Sequence, residues 1–113
     1  MDCIFCRIIA GEIPAAKIYE DERALVFRDI HPQAPTHCLL IPKRHIASLD
    51  EATHADEADL GYLFVLAGKI ARDEGLNEKG YRTIVNTGAD AGQTVFHIHV
   101  HLLGGRPMAW PPG

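Results

Sequence analysis

The 113-residue chain lacks any apolar run approaching the roughly 20 residues of a membrane-spanning helix. It also lacks a strong charge of either sign. A net charge of −4 gives no electrostatic reason to expect nucleic-acid or membrane binding. A phosphate or nucleotide ligand would have to be held by local groups. Cysteine is scarce: three residues, an odd number, do not make a secreted disulfide framework. Met1-Asp2-Cys3 opens no signal peptide, so a reducing cytoplasm is the expected location. Repeats, low-complexity tracts and linkers are missing as well, and one domain over residues 1–113 is expected. A chain of this length buries roughly two thirds of its unfolded surface without staples.

What the chain has is a succession of short apolar segments. "CIFCRIIAGEIP" places Ile4, Ile8 and Ile9 at helical spacing before Gly11, which predicts a short N-terminal helix. Strands are expected over 16–20 and 24–29, around a charged turn at Asp21-Glu22, and over 37–41 between proline-marked ends. Thr53 and Asp56 offer a capping-box start. Leu60, Leu63, Phe64, Ala67, Ile70 and Ala71 then share one face of a long helix that stops near Gly75. "YRTIVNTG" (81–88) and "TVFHIHVHLLG" (94–104) read as two further strands. About five mostly antiparallel strands with one long helix over one sheet face define an α+β fold.

Within the last segment His97, His99 and His101 alternate with Ile98, Val100 and Leu102. In a strand this alternation puts the imidazoles on one face, roughly 6.6 Å apart at about 3.3 Å per residue. A single strand histidine is ordinarily structural. Three on a shared buried face would leave polar groups unpaired unless something binds there. Metal binding is one option, since imidazole is a common zinc ligand, but no carboxylate or further ligand is adjacent. Phosphoryl chemistry is the other. The preceding "NTGADAGQTVFH" has Gly88 and Gly92, which can turn backbone N–H groups toward an anion, and then Gln93 and Thr94. Cys3 and Cys6 form a second constellation. Alone the pair reads equally as two small residues on a short helix; tetrahedral zinc would need two histidines, such as His45 and one of the row. Cys38 reads as core, His31 and His54 as solvated surface. His37 could orient a member of the row through a hydrogen bond. Trp110, in the proline-rich tail, is expected to pack on the body or on a partner subunit.

The run His97-Ile98-His99-Val100-His101-Leu102-Leu103 matches the motif that names the histidine-triad (HIT) family. "IFCRIIAGEIPA", "FRDIHPQAPTHCLLIPKRHI", "NTGADAGQTVFHIHVHLLGGRPM" and "WPPG" resemble its Hint branch over nearly the whole chain. The resemblance implies a HIT-like fold and a homodimer whose sheets join across the interface. It also implies a purine nucleotide site and hydrolysis of nucleoside 5′-phosphoramidates. By position, His99 is the nucleophile toward the α-phosphorus, and His101, Gln93 and Thr94 are phosphate ligands. Phe27, Asp29 and Ile30 match the base and ribose pocket, and Asn86 and Gly92 match further nucleotide contacts. His37 and His97 resemble a supporting pair behind the nucleophile. Cys3 and Cys6 are similar to the pair with which some HIT relatives hold a structural zinc, the other ligands being His45 and His97 by position. His97 is thus left with two roles, partner of His37 or zinc ligand.

The implied chemistry agrees with the residues. A neutral imidazole is a competent nucleophile near pH 7 when its other nitrogen carries the proton. Flanking donors stabilise charge on the phosphoryl oxygens, and the scheme requires no divalent ion. Two departures stand out: Ala109 replaces a frequent histidine, and Thr94 a common serine. Hydrolysis of dinucleoside polyphosphates and nucleotide-binding scaffolding are the competing functions.

Overall fold

Five short strands pair antiparallel throughout, in the spatial order β1-β2-β3-β5-β4. In the computed structural model they are β1 (Lys17–Glu20), β2 (Ala24–Arg28), β3 (Thr36–Pro42), β4 (Tyr81–Ile84) and β5 (Val100–Gly104). A short helix α1 (Ile4–Ile9) precedes them, and a long helix α2 (Glu57–Asp73) joins β3 to β4. The structure describes residues 3–113; Met1 and Asp2, part of the expectation about a signal peptide, lie outside the described residues.

Alternation along the central strands sorts the core into two layers. Ala24 and Val26 of β2, Cys38 and Leu40 of β3, and Val100 and Leu102 of β5 face α2. They meet Leu63, Leu66, Ala67, Ile70 and Ala71 of the helix. Leu25, Phe27, Leu39 and Ile41 point the other way and meet Cys3, Phe5 and Ile8 around α1. Leu40, Leu63 and Leu102 have no exposed surface, and each such side chain contributes about 1.5–3 kcal/mol by leaving water. The helical face expected for α2 is present except at Phe64, which is 48% exposed. It lies one position round from Leu63, toward Val65, outside the stripe that the sheet covers.

The capping box of Thr53 and Asp56 forms, with Thr53 N–H donating to Asp56 Oδ2 at 2.9 Å, but on a 3₁₀ turn leading into α2. At the far end of the sheet, Asp21 ties the β1–β2 turn to the helix. Its Oδ1 accepts from the backbone N–H groups of Arg23 and Ala24 at 2.7 and 2.8 Å. Its Oδ2 accepts from the hydroxyls of Tyr19 and Tyr62. Desolvation pushes this carboxyl up, yet the donors, Tyr62 first, outweigh it and bring the pKa down to about 2.

Strands β1, β2 and β3 end within one residue of the expected bounds. The last strand does not: it begins only at Val100, so His97 and His99 precede it. The register pairs Leu40 with Val100, and two residues further on Pro42 would stand opposite Ile98. Pro42 has no N–H to offer. Ile98 N–H instead donates to Ile46 O at 2.7 Å, and the chain leaves the ladder. β4 ends at Ile84, opposite His101, for the related reason that its partner strand ends one residue earlier in the chain.

Candidate active site

His37 of β3 and His101 of β5 both project from the sheet face away from α2, since their strand neighbours Cys38, Leu40, Val100 and Leu102 fill the α2 layer. The register sets Leu39 opposite His101 and His37 opposite Leu103. The two histidines are therefore diagonal neighbours, a separation that long rings can bridge. His37 Nε2 lies 2.9 Å from His101 Nδ1.

Their partners determine where the protons sit. The backbone N–H of Gln33 donates to His37 Nδ1 at 3.0 Å. His37 therefore carries its proton on Nε2 and donates it to His101 Nδ1. His101, accepting there, carries its own proton on Nε2. Burial lowers the His37 pKa, with Asp29 opposing. Burial, then the neighbouring His99 and His37, brings His101 down to about 4. Both rings are neutral at pH 7, as this chain of hydrogen bonds requires.

His99 is held in the opposite tautomer. Its Nδ1 lies 2.8 Å from the carbonyl oxygen of His97, which can only accept. The proton is on Nδ1, and Nε2 carries an open lone pair. The rings of His99 and His101 are 5.0 Å apart, one presenting a lone pair at Nε2 and the other an N–H. A nucleophile beside a hydrogen-bond donor is what attack on a phosphoryl centre needs.

His97 is fully buried and belongs to a different group. Its Nε2 donates to Pro42 O at 2.8 Å, so its Nδ1 lone pair points away from the sheet. That nitrogen is 3.4 Å from Cys3 Sγ, 3.6 Å from Cys6 Sγ and 3.2 Å from His45 Nδ1. Cys6 Sγ is 3.4 Å from His45 Nδ1. With Zn–S near 2.3 Å and Zn–N near 2.0–2.1 Å, a tetrahedral site has ligand–ligand edges of about 3.3–3.8 Å. The four atoms fit that set, and the Pro42 carbonyl is the kind of outer partner that orients a ligating imidazole. The resemblance had offered His97 as a partner of His37. In the structure His37 pairs with His101, and His97 faces the cysteines, because Pro42 O turns its ring. Asp29, His37 and His101 also cluster within 4.8 Å, but the two facing nitrogens there are engaged with each other.

Gln93, expected as a phosphate ligand, has its side chain engaged within the loop. Its Oε1 accepts from Gly88 N–H at 2.9 Å. Its Nε2 donates to Ala47 O and Val95 O at 2.9 and 3.2 Å. Both amide protons are used to brace the loop. Gly92, at φ +88°, makes the turn that Gln93 N–H closes onto Gly88 O at 3.0 Å. Thr94 is exposed and lines a cavity of about 440 Å³ together with His45 and Phe96. Asp29 accepts from His31 N–H at 2.8 Å, and its Oδ2 lies 3.5 Å from His37 Nε2. Phe27 is buried, Asn86 half-buried beyond β4, and Ile30 is 85% exposed. Trp110 is 82% exposed and does not pack on the body.

Phe5 was missed in the sequence. It sits between Cys3 and Cys6 on α1 with its ring edge-on to Phe27 at 5.5 Å, to His99 at 5.1 Å and to His97 at 5.9 Å. Of the three isoleucines, Ile8 is buried and Ile9 packs on the same cluster, whereas Ile4 is 47% exposed and Phe5 is buried beside it. An aromatic between two candidate metal ligands was the available signal.

Residues 10–108 match the HIT domain model. The chain belongs to the HIT domain family. It is similar to a HIT family hydrolase from Legionella pneumophila, with 53% identity, a TM-score of 0.97, and 99% of this chain and all of that one covered. The histidine triad nucleotide-binding protein from Candida albicans is 35% identical at a TM-score of 0.83, over 97% of this chain and 83% of its own. A 14 kDa zinc-binding protein of Zea mays is 54% identical over 112 residues, 97% of this chain and 87% of its own length.

Proposed function

We propose that the protein is a hydrolase of purine nucleoside 5′-phosphoramidates. The observation that carries this reading is the pair of opposite tautomers: His99 Nδ1–H held by the His97 carbonyl, and His101 Nε2–H set by His37. His99 Nε2 attacks the α-phosphorus and the P–N bond breaks. The amine departs after gaining a proton, leaving a nucleotidyl-histidine. Water then attacks the same phosphorus, the N–P bond to His99 breaks, and the nucleoside monophosphate is released. His101 Nε2–H donates to the phosphoryl oxygens as charge accumulates on them. The Asp29 carboxylate accepts from the ribose hydroxyls, and Phe27 backs the base.

Cys3, Cys6, His45 and His97 hold a structural zinc. Such an ion cross-links α1 to the two chain segments carrying the histidines, and the chemistry needs no metal. The zinc-binding maize relative supports this reading. The protein works as a homodimer. β4 is an edge strand of the sheet, Tyr81 on it is exposed, and Phe64 and Val65 on α2 are exposed as well, a combination that invites a partner sheet. No helix among the described residues is long and apolar enough to cross a membrane; a cytoplasmic location fits the free cysteines.

Incubation with an adenosine 5′-phosphoramidate tests the activity directly. AMP release and an adenylate trapped on His99 under alkaline denaturing conditions are expected. A diadenosine polyphosphate assayed in parallel should turn over more slowly; the reverse order would transfer the assignment to that substrate class. A folded protein with no turnover of either substrate would leave nucleotide-binding scaffolding as the function.

A further inference from the structure

His99 lies outside the regular strand, so no sheet ladder aims its ring. The aim comes from one hydrogen bond, Nδ1–H to the carbonyl oxygen of His97 at 2.8 Å, from the edge contact with Phe5, and from the His101 ring on the sheet 5.0 Å away. The first two of these supports are built on the cysteine–histidine cluster. The residue that supplies the carbonyl is itself anchored by its ring, Nε2 to Pro42 O and Nδ1 to the two sulfurs and His45. Phe5 stands on a six-residue helix whose preceding residue Cys3 and first-turn residue Cys6 are both in the cluster. Without a metal, His97 Nδ1 meets only weakly donating thiols and another imidazole nitrogen. With one, a bond of fixed length and direction would lock the His97 ring and α1 together.

Resting on the reading of His99 as nucleophile, we propose that Cys3, Cys6 and His45 are positioning residues for it, acting through the His97 main chain and the Phe5 ring when they hold a metal. The metal site then serves the reaction without touching substrate. Its loss lowers turnover at saturating substrate and leaves nucleotide binding unchanged, because His101, Asp29 and Phe27 are held by the sheet and the turn beyond β2.

The test uses the full chain with its histidines ¹⁵N-labelled, loaded with Zn²⁺ or ¹¹³Cd²⁺, and also stripped of metal. Coupling of ¹¹³Cd to Nδ1 of His97 and of His45 is expected. The His99 ring should show one Nδ1–H tautomer with zinc, shifted resonances with cadmium, whose bonds to sulfur are longer, and mixed tautomers without metal. The exposed His54 should remain constant. Cys6→Ser should lower kcat by roughly 10- to 100-fold, the usual scale for disturbing outer partners of a site, with AMP affinity retained. Should the metal-free protein unfold, the zinc–cadmium comparison still decides. Failure of the folded protein to bind either ion overturns the proposal, as does a His99 ring spectrum identical with zinc and cadmium. The ring spectra need no substrate, so absence of turnover by the zinc-loaded protein would count against the proposed activity alone.

Discussion

The two faces of the sheet differ in what holds them. Toward α2, Val26, Cys38, Leu40, Val100 and Leu102 pack on helical leucines and alanines with no polar atom to satisfy except the Cys38 thiol. Toward α1, Leu39 and Phe27 share the layer with His37, His97 and His99, all largely buried. The first face is stabilised by area removed from water and is indifferent to ring orientation or proton position. The second is only sound when each imidazole nitrogen has a partner of the right kind, because an unpaired buried polar group costs about 1–3 kcal/mol. A sheet of five short strands thus keeps stability on one side and carries its polar chemistry on the other.

Substitutions should separate the two. The largest effect expected is on the α1 face: His99→Ala should reduce phosphoramidate turnover on the order of 10⁴-fold or more. Its stability should fall by about 1–3 kcal/mol, the cost of leaving the His97 carbonyl unpaired, as calorimetry would show. Leu63→Ala on the α2 face should do the opposite. It should cost about 2–5 kcal/mol in denaturant unfolding, with kcat per folded molecule unaltered. A fall in kcat there would join what the comparison separates.

The pH dependence should belong to the α1 face as well. In the unfolded chain a histidine titrates near 6.5, whereas His101 in the fold binds its proton only near 4. Between these values the unfolded state holds more protons, so stability falls as pH is lowered from 6.5 toward 4. Replacing His101 with Asn should flatten that part of the stability profile, and an unchanged slope would remove His101 as its source. The smallest effect expected is at the distant turn. Tyr62→Phe deletes one donor to Asp21 and should cost about 1 kcal/mol with no change in activity.

The contrast also explains how much could be read in advance. The short apolar runs of β2 and β3 between turn residues and the helical stripe of α2 are local signals, and these elements came out nearly where expected. The last strand was misjudged because its alternation continues through His97 while its ladder does not. The reason, a proline 56 residues earlier opposite Ile98, is invisible until the register is known. Gln93 looked available because a polar side chain beside glycines resembles an anion site. Only the fold brings Ala47 O within reach of its amide.

By itself the sequence determined which residue types would meet. Alternation put His97, His99 and His101 on one expected face, and the pairs Cys3-Cys6 and His97-His99 carried the candidates for metal and for attack. It did not determine what each imidazole does, because a histidine's role depends on which nitrogen holds the proton. That choice is made by atoms remote in the chain or by the local path of the backbone. Gln33 N–H sets His37 and, through it, His101; Pro42 O turns His97 toward the cysteines; and the His97 carbonyl frees Nε2 of His99. Three similar side chains are set apart only because the tertiary structure gives their rings three different partners.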